Sequence, residues 1–487
     1  MSLLFPALHA QSSKTALHFG DRALSYRQLA AAASEVASRI DQTGRVAVWA
    51  TAELETAVAV VGALLAGVPA VPVNPKSGER ELAHLVGDSQ PATVLTAPGA
   101  ELPKELAGLH RTEVVLDPEA PEHGATWQPL AEPDPNSPAL IVYTSGTTGP
   151  PKGAVLSRRS VTSTLDALED AWQWSEDDVL VHGLPLFHVH GLILGVLGPL
   201  RRGGTLRHLG RFSTEGVTRE LASGGTMLFG VPTMYHRIAE SLDAEPELAQ
   251  ALSRARLLVS GSAPLPLPDH ERITEATGRH VIERYGMTET LMNTSVRADG
   301  APKPGTVGVP LKDVDLRLVD DSGARIEVWD GETVGEVEVR GPNLFTEYLN
   351  RPDATAEAFD GGWFRTGDMA TVDADGYVRL VGRKATDLIK SGGYKIGAGE
   401  IENVLLAHAG VAEAAVAGVP DPDLGERVAA WIVPVDAANP PAESELSERV
   451  ATELAPHKRP RAVHFVEALP RNDMGKILKR ELPGREG

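Results

Sequence analysis

The sequence has no cysteine among its 487 residues, which excludes disulfide bonds, thiolate metal sites and a cysteine nucleophile. Basic residues are outnumbered: 46 Lys and Arg stand against 66 Asp and Glu, giving a formal net charge of −20. Such a surface repels phosphate backbones and anionic lipids, so we expect neither nucleic acid nor a membrane as a partner. An anionic small molecule can still bind if its site gathers positive charge locally.

The sequence also lacks a convincing membrane span. The uncharged stretch at residues 56–73 is interrupted by Gly67 and Pro69, and this pattern indicates a buried helix followed by a short buried strand. The first ten residues lack a basic segment and a long apolar segment of the kind found in secretory signals. We therefore expect a cytoplasmic protein.

Helical and strand patterns alternate in the first part of the chain, which favours an α/β fold with a largely parallel sheet. The helices are predicted at residues 27–40, 53–66 and 77–86, and the strands at 46–49, 70–73, 93–95 and 139–143.

The pattern changes from about residue 307, where short alternating strands separated by Asp-Gly and Ser-Gly turns predict a β subdomain over about 307–381. The last hundred residues form a small α+β unit. Its strands are predicted near 412–419 and 429–435, and its helices at 399–407 and 444–454. We expect an N-terminal domain over 1–383, with layered α/β subdomains and the β subdomain, and a C-terminal domain over 384–487.

The segment at residues 143–153, with the sequence YTSGTTGPPKG, directly follows a predicted apolar strand. Glycines let the backbone approach an anion, hydroxyl groups donate hydrogen bonds to phosphoryl oxygens, and Lys152 adds a positive charge. The spacing does not match a Walker A loop. Phosphate binding and a flexible surface turn both remain open on these grounds.

Five further motifs accompany this loop in a fixed order. They are GSAPL at 261–265, YGMTE at 285–289, WFRTGD at 363–368, Gly382-Arg383, and PRNDMGK at 470–476. Together they resemble the adenylate-forming superfamily of acyl-CoA synthetases, luciferases and peptide-synthetase adenylation domains. The resemblance implies that a carboxylate attacks the α-phosphate of ATP to give an acyl-adenylate and pyrophosphate, after which a thiol displaces AMP.

The resemblance also implies roles for individual residues. The β- and γ-phosphates of ATP would be held by Thr144, Ser145, Gly146, Thr147, Thr148, Gly149 and Lys152. The adenosine would be contacted by Gly261, Ser262, Ala263, Tyr285, Gly286, Met287, Thr288, Asp368 and Arg383. Mg²⁺ would be held by Glu289 and Thr147, since hard oxygen ligands suit this cation; without its motif, Glu289 would be an ordinary surface carboxylate.

Lys476 is the candidate catalytic residue, because a flexible ammonium can bridge the substrate carboxylate and the α-phosphate. By itself it would be a solvated lysine in a basic tail. The resemblance implies that the C-terminal domain is mobile and turns between the two steps. It would then present a CoA-binding face with Ser391, Gly392, Gly393 and Lys395. A protein lysine acyltransferase acting on Lys476 is a possible regulatory partner, because acylation removes the positive charge.

Arg284 is the candidate specificity residue, because relatives acting on monocarboxylates usually carry a small or neutral residue before the Tyr-Gly motif. A guanidinium inside the acyl pocket is costly unless an anion pairs with it. With His190 as a second donor and His188 as the gate, it would hold the far carboxylate of a short dicarboxylate. The alternatives are that Arg284 pairs with Glu283 or Glu289, or that it faces solvent.

These features resemble malonyl-CoA synthetases, and we predict a ligase that joins malonate or a C2-substituted malonate such as methylmalonate to CoA. One methyl group changes the binding free energy too little for the sequence to predict whether malonate or methylmalonate is preferred. Three rivals remain: an enzyme loading a carrier protein, a medium-chain or aryl acyl-CoA ligase, and a non-enzymatic nucleotide-binding regulator. The chain ends soon after Lys476, which favours free CoA over a carrier.

A basic cluster has two interpretations, a landing site for the CoA 3′-phosphate or surface salt bridges. Its members are Arg201, Arg202, Arg207 and Arg211.

Overall fold

The computed structural model describes residues 3–10, 12–40, 44–116, 131–144, 150–384, 387–471 and 477–485; at residue 395 it describes the backbone alone. The strands are β1 (Thr15–Phe19), β2 (Arg22–Ser25), β3 (Val46–Trp49), β4 (Ala70–Val73), β5 (Thr93–Thr96), β6 (His110–Glu113), β7 (Pro138–Thr144), β8 (Lys152–Ser157), β9 (Val179–His182), β10 (Thr205–His208), β11 (Met227–Gly230), β12 (Leu257–Ser260), β13 (Val281–Tyr285), β14 (Thr294–Ser295), β15 (Val309–Pro310), β16 (Asp315–Val319), β17 (Arg325–Ile326), β18 (Gly335–Arg340), β19 (Glu347–Tyr348), β20 (Phe359–Asp360), β21 (Trp363–Val372), β22 (Val378–Arg383), β23 (Leu388–Ser391), β24 (Tyr394–Gly397), β25 (Val411–Asp421), β26 (Gly425–Pro434) and β27 (Ala462–Phe465).

The helices are α1 (Pro6–His9), α2 (Tyr26–Arg39), α3 (Leu54–Leu65), α4 (Glu79–Ser89), α5 (Arg158–Trp172), α6 (Gly198–Arg202), α7 (Thr214–Ala222), α8 (Pro232–Ser241), α9 (Pro246–Arg254), α10 (Leu267–Thr277), α11 (Pro352–Ala358), α12 (Ala398–Leu406) and α13 (Glu443–Glu453). A π-helix covers His190–Leu197, and 3₁₀ turns cover Pro456–Lys458 and Lys479–Glu481.

Two mostly parallel sheets form the large N-terminal domain. One has the strand order β15-β14-β13-β12-β11-β9-β10-β1-β2, and the other has the order β19-β8-β7-β4-β3-β5-β6. Helices cover these sheets because their strands are apolar on both faces, as in β3 and β4, whose residues are all buried. This architecture confirms the predicted α/β fold.

The remaining strands form two antiparallel-rich sheets. The β subdomain has the order β17-β16-β18-β21-β20, with β22 paired to β21. The small C-terminal domain has the order β24-β23-β26-β25, with β27 paired to β26; α12 packs on β25, and α13 packs against α12. Its buried cluster of Ile389, Ile396, Ile401, Val416 and Leu446 belongs to this domain alone.

The apolar stretch at 56–73 folds as expected. Every residue of α3 is buried, Gly67 has a φ of 73°, and β4 follows in the interior of the sheet. Within the described ranges, no helix combines the length and the apolar character needed to cross a membrane.

Most predicted elements are confirmed, but three details differ. Helix α4 begins at Glu79 and ends at Ser89, so its prediction over 77–86 was shifted. The segment around Gly392-Gly393 is a hairpin between β23 and β24, in which both glycines have positive φ. The π-helix at 190–197 had no counterpart in the prediction, because its run of apolar residues has no distinctive period.

Candidate active site

Two neighbouring parallel strands, β12 and β13, carry the residues at the centre of the site. Ser260 at the end of β12 lies opposite Glu283 in β13, so the loop after Ser260 lies beside Arg284 and Tyr285. In α/β sheets, ligands bind at the carboxyl ends of the strands, where loops of this kind diverge. The chain order therefore brings the GSAPL and YGMTE motifs to one edge of the sheet.

Arg284 is buried, with 5% of its surface exposed, and its guanidinium lies against Gly261. A Cβ atom added to Gly261 would lie 2.3 Å from Cζ of Arg284, so a side chain at position 261 would displace the guanidinium from its present place. The Nε and Nη2 atoms have no hydrogen-bond partner among the described residues. Burial lowers the pKa of Arg284 to about 10, and the side chain still carries its charge at neutral pH.

His190 starts the π-helix and is buried beside Arg284, with its ring centroid 5.8 Å from that of Phe229. Neither ring nitrogen of His190 has a hydrogen-bond partner among the described residues. Burial, followed by the positive charge of Arg284, holds the pKa of His190 well below its ordinary value. The imidazole is therefore neutral at physiological pH and can donate one hydrogen bond.

The two glutamates near Arg284 in the sequence, Glu283 and Glu289, form hydrogen bonds with other residues. Oε2 of Glu283 accepts a hydrogen bond from the backbone N–H of Leu265 at 3.0 Å, and Oε1 of Glu289 accepts one from the hydroxyl of Tyr348 at 2.8 Å. No salt bridge joins Arg284 to a carboxylate within the part of the chain that the structure describes. The geometry therefore supports neither the pairing of Arg284 with these residues nor its exposure to solvent.

Glu289 is buried, with 7% of its surface exposed, and its side chain is bound through Tyr348. The ring of Tyr348 also lies under the ammonium of Lys152, with Nζ 4.2 Å from the ring centroid. Lys152 lies near the end of the phosphate-loop motif and is the first residue of β8. Burial, followed by the nearby charge of Glu289, raises the pKa of Tyr348, so its hydroxyl stays protonated and donates.

The donor set at Glu289 fits a magnesium ion that arrives with a nucleotide. A single carboxylate oxygen is hydrogen-bonded to Tyr348, and no salt bridge within 4 Å joins the group to a lysine or arginine among the described residues. Within the described ranges there is no cluster of three or more metal-ligating side chains. Mg²⁺ commonly binds through one or two carboxylates, several waters and substrate phosphates, which matches this arrangement.

Asp368 is the next candidate and lies in β21 opposite Arg383 of β22. Its Oδ2 atom accepts a hydrogen bond from the hydroxyl of Tyr285 at 2.6 Å, and its Oδ1 atom lies 2.8 Å from Nε of Arg383. Burial, followed by the charge of Asp368, raises the pKa of Tyr285 well above its ordinary value. The structure thus brings together three of the residues predicted to surround the adenosine.

The two loops that would flank the adenosine have tightly packed backbones. Ser262 has a φ of 83°, and a Cβ atom on Gly286 would lie 1.8 Å from the carbonyl oxygen of Leu291. The backbone N–H of Met287 donates a hydrogen bond to the hydroxyl of Thr290, which fixes the turn before Glu289. Ala263 and Thr288 are half-buried in these loops.

The predicted gate, His188, lies close enough to His190 to help lower the pKa of that imidazole. His188 is half-buried, and its ring contacts Phe187 with centroids 4.5 Å apart. Ser391, Gly392 and Gly393 lie at the β23–β24 hairpin of the C-terminal domain. The exposed ring of Tyr394 stacks on His457 with centroids 4.0 Å apart. The side chain of Lys395 lies outside the described part of the structure.

The basic cluster separates into ion pairs and one exposed residue. Arg201 binds Asp166 through two nitrogens, at 2.6 and 2.7 Å, and Arg202 binds the same carboxylate. Arg207 donates to the carbonyl oxygen and hydroxyl of Ser223. These contacts favour the salt-bridge interpretation for Arg201 and Arg202, whereas Arg211 is exposed.

Several predicted site residues lie outside the described residues. They are Ser145, Gly146, Thr147, Thr148, Gly149 and Lys476.

Sequence reasoning missed Tyr348 and His182. The ring of His182 is fully buried near His190, and its Nδ1 atom accepts a hydrogen bond from the N–H of Leu184 at 3.1 Å. Neither residue belongs to a charged motif. The Glu-Tyr dipeptide before Leu349 carries no signal that would connect it to Glu289, whereas the short apolar run that ends at His182 and forms β9 is a signal that could have pointed to this histidine.

The family comparison assigns the chain to a class of enzymes. The AMP-binding enzyme family matches residues 5–349, and the AMP-binding enzyme C-terminal domain matches residues 400–476. The chain therefore belongs to the AMP-binding enzyme family.

Three similar proteins within this family illustrate which of its members the chain resembles. A mitochondrial malonate–CoA ligase from Mus musculus is 38% identical over 479 residues, covering 91% of this chain and 81% of the relative. A solved malonyl-CoA ligase, in a ternary product complex with methylmalonyl-CoA and AMP, is 67% identical, covers 96% of this chain and 100% of its own, and has a TM-score of 0.74. ATP-bound MatB from Rhodopseudomonas palustris is 34% identical, covers 98% of this chain and 97% of its own, and has a TM-score of 0.88.

Proposed function

We propose that the protein is an AMP-forming acid–CoA ligase that converts malonate or a C2-substituted malonate such as methylmalonate, ATP and CoA to the acyl-CoA, AMP and pyrophosphate. Its similarity to malonate–CoA ligases and to a complex with methylmalonyl-CoA and AMP supports this proposal. ATP and CoA are the co-substrates, and Mg²⁺ accompanies the nucleotide.

The observation that carries the substrate proposal is the buried guanidinium of Arg284, which has no carboxylate partner in the part of the chain that the structure describes. A buried charge without a partner destabilises a protein by several kcal/mol, and a bound carboxylate would offset that cost. Arg284 lies close enough to His190 for its charge to lower the pKa of the imidazole, and both side chains have nitrogens without a partner among the described residues. These nitrogens would supply donors for such a carboxylate. An apolar acid would leave all of these donors unsatisfied.

The other carboxylate of the acid would point toward the nucleotide. Tyr285 follows Arg284 directly and is bonded to Asp368, so the acid-binding and adenosine-binding residues are adjacent in the chain. The carboxylate oxygen attacks the α-phosphorus, the bond to the bridging oxygen breaks, and pyrophosphate leaves with the electron pair. Lys152 and the phosphate loop would hold the leaving phosphates, and Mg²⁺ at Glu289 would reduce the repulsion between the anions.

Lys476 would supply the cation that brings the substrate carboxylate and the α-phosphate together. We propose that its domain, residues 384–487, turns after the first step so that CoA can attack the acyl carbonyl and release AMP. Such a turn would account for the lower TM-score against the product complex, 0.74 at 67% identity, than against ATP-bound MatB, 0.88 at 34% identity.

The CoA arm would approach along Ser391, Gly392 and Gly393, with Lys395 and Arg211 as candidate contacts for its phosphates. Both glycines have positive φ, and a Cβ atom on Gly393 would meet no atom within 4 Å, so the hairpin leaves open space for a narrow chain. Acylation of Lys476 by a protein lysine acyltransferase would remove the positive charge of that lysine and so block the first step.

The test is pyrophosphate exchange and acyl-CoA formation over a panel of acids: malonate, methylmalonate, acetate, octanoate and an aryl acid. We expect turnover with malonate or methylmalonate and little with monocarboxylates. In Arg284→Ala, kcat/KM for malonate should fall on the order of 30-fold to several thousand-fold, because truncating one partner of a buried charge pair costs about 2–5 kcal/mol. ATP binding measured by calorimetry without acid should be unchanged.

The matched control is Arg272→Ala, which removes a guanidinium from an exposed pair with Asp243. It should have the wild-type rate with every acid. Equal activity of Arg284→Ala and wild type on malonate would contradict the clamp. Efficient use of octanoate or the aryl acid by the wild type would contradict the substrate class, and transfer to a carrier protein but not to CoA would contradict the acceptor.

A further inference from the structure

Tyr348 occupies a position between two groups of opposite charge that the chain places far apart. Its hydroxyl donates to Oε1 of Glu289 at 2.8 Å, and its ring lies 4.2 Å from the ammonium of Lys152. The side chain is 6% exposed and packs edge-on against Phe345, with ring centroids 4.7 Å apart. One rigid side chain therefore contacts both the candidate metal ligand and the candidate phosphate-binding lysine.

The backbone around Tyr348 holds this ring in place. Strand β19 pairs with β8 so that Tyr348 lies opposite Ala154, and Lys152 is the diagonal neighbour two residues away. Residues two apart on a strand point to the same face, and an aromatic ring reaches its diagonal neighbour across an antiparallel pair. The strand pairing therefore fixes the contact between the ring and Lys152.

The same segment is bonded to the turn that carries Glu289. The N–H of Phe345 donates to the carbonyl oxygen of Glu289 at 2.7 Å, and the amide of Asn343 donates to the carbonyl oxygens of Thr290 and Met292. Residues 343–349 thus connect the β8 strand with the Glu289 turn. Among the described residues, Tyr348 is the side chain in this segment that contacts both charged groups.

We infer that Tyr348 is a positioning residue that sets the separation and orientation of Glu289 and Lys152 for a magnesium–ATP complex. This inference rests on the nucleotide-binding roles proposed above for those two residues. The hydrogen bond holds one carboxylate oxygen so that the carboxylate meets the metal in one orientation. The ring attracts the ammonium of Lys152 and limits the positions from which it reaches the phosphates.

Two substitutions separate these contributions. Tyr348→Phe removes the hydroxyl and keeps the ring, whereas Tyr348→Leu removes both. The matched control is Tyr377→Phe, because Tyr377 also lies under a lysine, with Nζ of Lys303 4.3 Å from its ring, and its hydroxyl donates to the carbonyl oxygen of Ala301.

The measurement is calorimetric titration of the full-length protein with ATP, first in EDTA and then in saturating Mg²⁺, with no acid or CoA. In Tyr348→Phe we expect ATP affinity in EDTA within twofold of wild type. The gain in affinity on adding Mg²⁺ should fall about tenfold, as when a residue that orients a metal ligand is lost. In Tyr348→Leu, affinity in EDTA should also fall about two- to fivefold, as expected for a lost cation–π contact. Tyr377→Phe should match wild type.

An undiminished gain from Mg²⁺ in Tyr348→Phe would overturn the inference. So would equal losses in EDTA and in Mg²⁺, which would mean that the tyrosine only supports the local fold. If Tyr348→Leu does not fold, Tyr348→Phe decides the question. Because no acid is present, these outcomes are independent of whether the enzyme acts on malonate, which the acid panel tests separately.

Discussion

At the scale of single residues, the site depends on the space that Gly261 leaves for Arg284. The guanidinium occupies the volume that any side chain at position 261 would need. The GSAPL motif is therefore expected to serve two purposes, flanking the adenosine and admitting the guanidinium to the acyl pocket.

This close contact gives a test by substitution. In Gly261→Ala the new methyl group would lie 2.3 Å from Cζ of Arg284, so the guanidinium or the loop must move. A misplacement of about 1 Å at a reacting centre can reduce a rate on the order of 100-fold, and we expect kcat/KM for malonate to fall at least tenfold. Steady-state kinetics of acyl-CoA formation measures this loss.

The matched control is Gly87→Ala, because a Cβ atom there would meet no atom within 4 Å. This variant should keep full activity. A Gly261→Ala enzyme with wild-type kinetics would show that the guanidinium is not confined in the way described.

At the scale of elements, a hydrogen bond to the carboxyl of Glu283 joins the loop after β12 to β13. This carboxyl is 4% exposed, its Oε2 atom accepts from the N–H of Leu265, and its Oε1 atom has no partner among the described residues. Burial raises the pKa of Glu283 to about 7, although hydrogen bonds from the backbone at Leu265 and Gly305 oppose the shift.

The raised pKa predicts how stability depends on pH. Between about pH 4.5 and 7 the folded state binds more protons at Glu283 than the unfolded state, so this group makes the free energy of unfolding fall as pH rises. Glu283→Gln removes that dependence and keeps a side-chain oxygen for Leu265. We compare the free energy of unfolding of Glu283→Gln with that of wild type at each pH. The value for the variant minus the value for wild type should increase by up to about 3 kcal/mol from pH 5 to pH 8.

Urea denaturation at the two pH values measures this difference, and comparing the variants at each pH cancels the other titrating groups. A difference that stays constant, or that moves in favour of the wild type as pH rises, would contradict the raised pKa.

At the scale of the whole molecule, the proposed reaction needs two domains that act in turn. Lys384, at the proposed boundary, is bound to Glu336 of the β subdomain at 2.8 Å. On the far side, Asp387 accepts from the N–H of Arg383 and lies 3.4 Å from Nζ of Lys479. This boundary segment has charged contacts with both domains.

Separating the half-reactions tests the role of the C-terminal domain. In Lys476→Ala, or after acetylation of Lys476, adenylation measured by pyrophosphate exchange should fall on the order of 100-fold or more, because the bridging cation is lost. Conversion of preformed acyl-adenylate and CoA to product should stay within a few-fold of wild type. Lys312→Ala, at an exposed lysine, should change neither rate.

Full-rate pyrophosphate exchange by the acetylated protein would contradict this assignment. Loss of both half-reactions would contradict the idea that the lysine serves the first step alone.

Much of the fold and part of the site could be predicted from the sequence. The continuous apolar runs at 46–49 and 70–73 predicted the exact bounds of β3 and β4, because a strand that is buried on both faces is apolar at every position. The ordered motifs identified the residues that form the Tyr285–Asp368–Arg383 contacts, because such motifs preserve local chemistry. The π-helix at His190 had no local signal that could have revealed it.

The sequence by itself determined the α/β class, the order of the ligand-binding loops and the identity of the charged groups, because periodicity and motif spacing are local properties. Only the tertiary structure decided that Arg284 is buried with no carboxylate partner among the described residues, and that Tyr348 joins Glu289 to Lys152. Those facts arise from packing between segments distant in the chain. The free energy of a buried charge depends on which atoms surround it, and local sequence does not encode that set of neighbours.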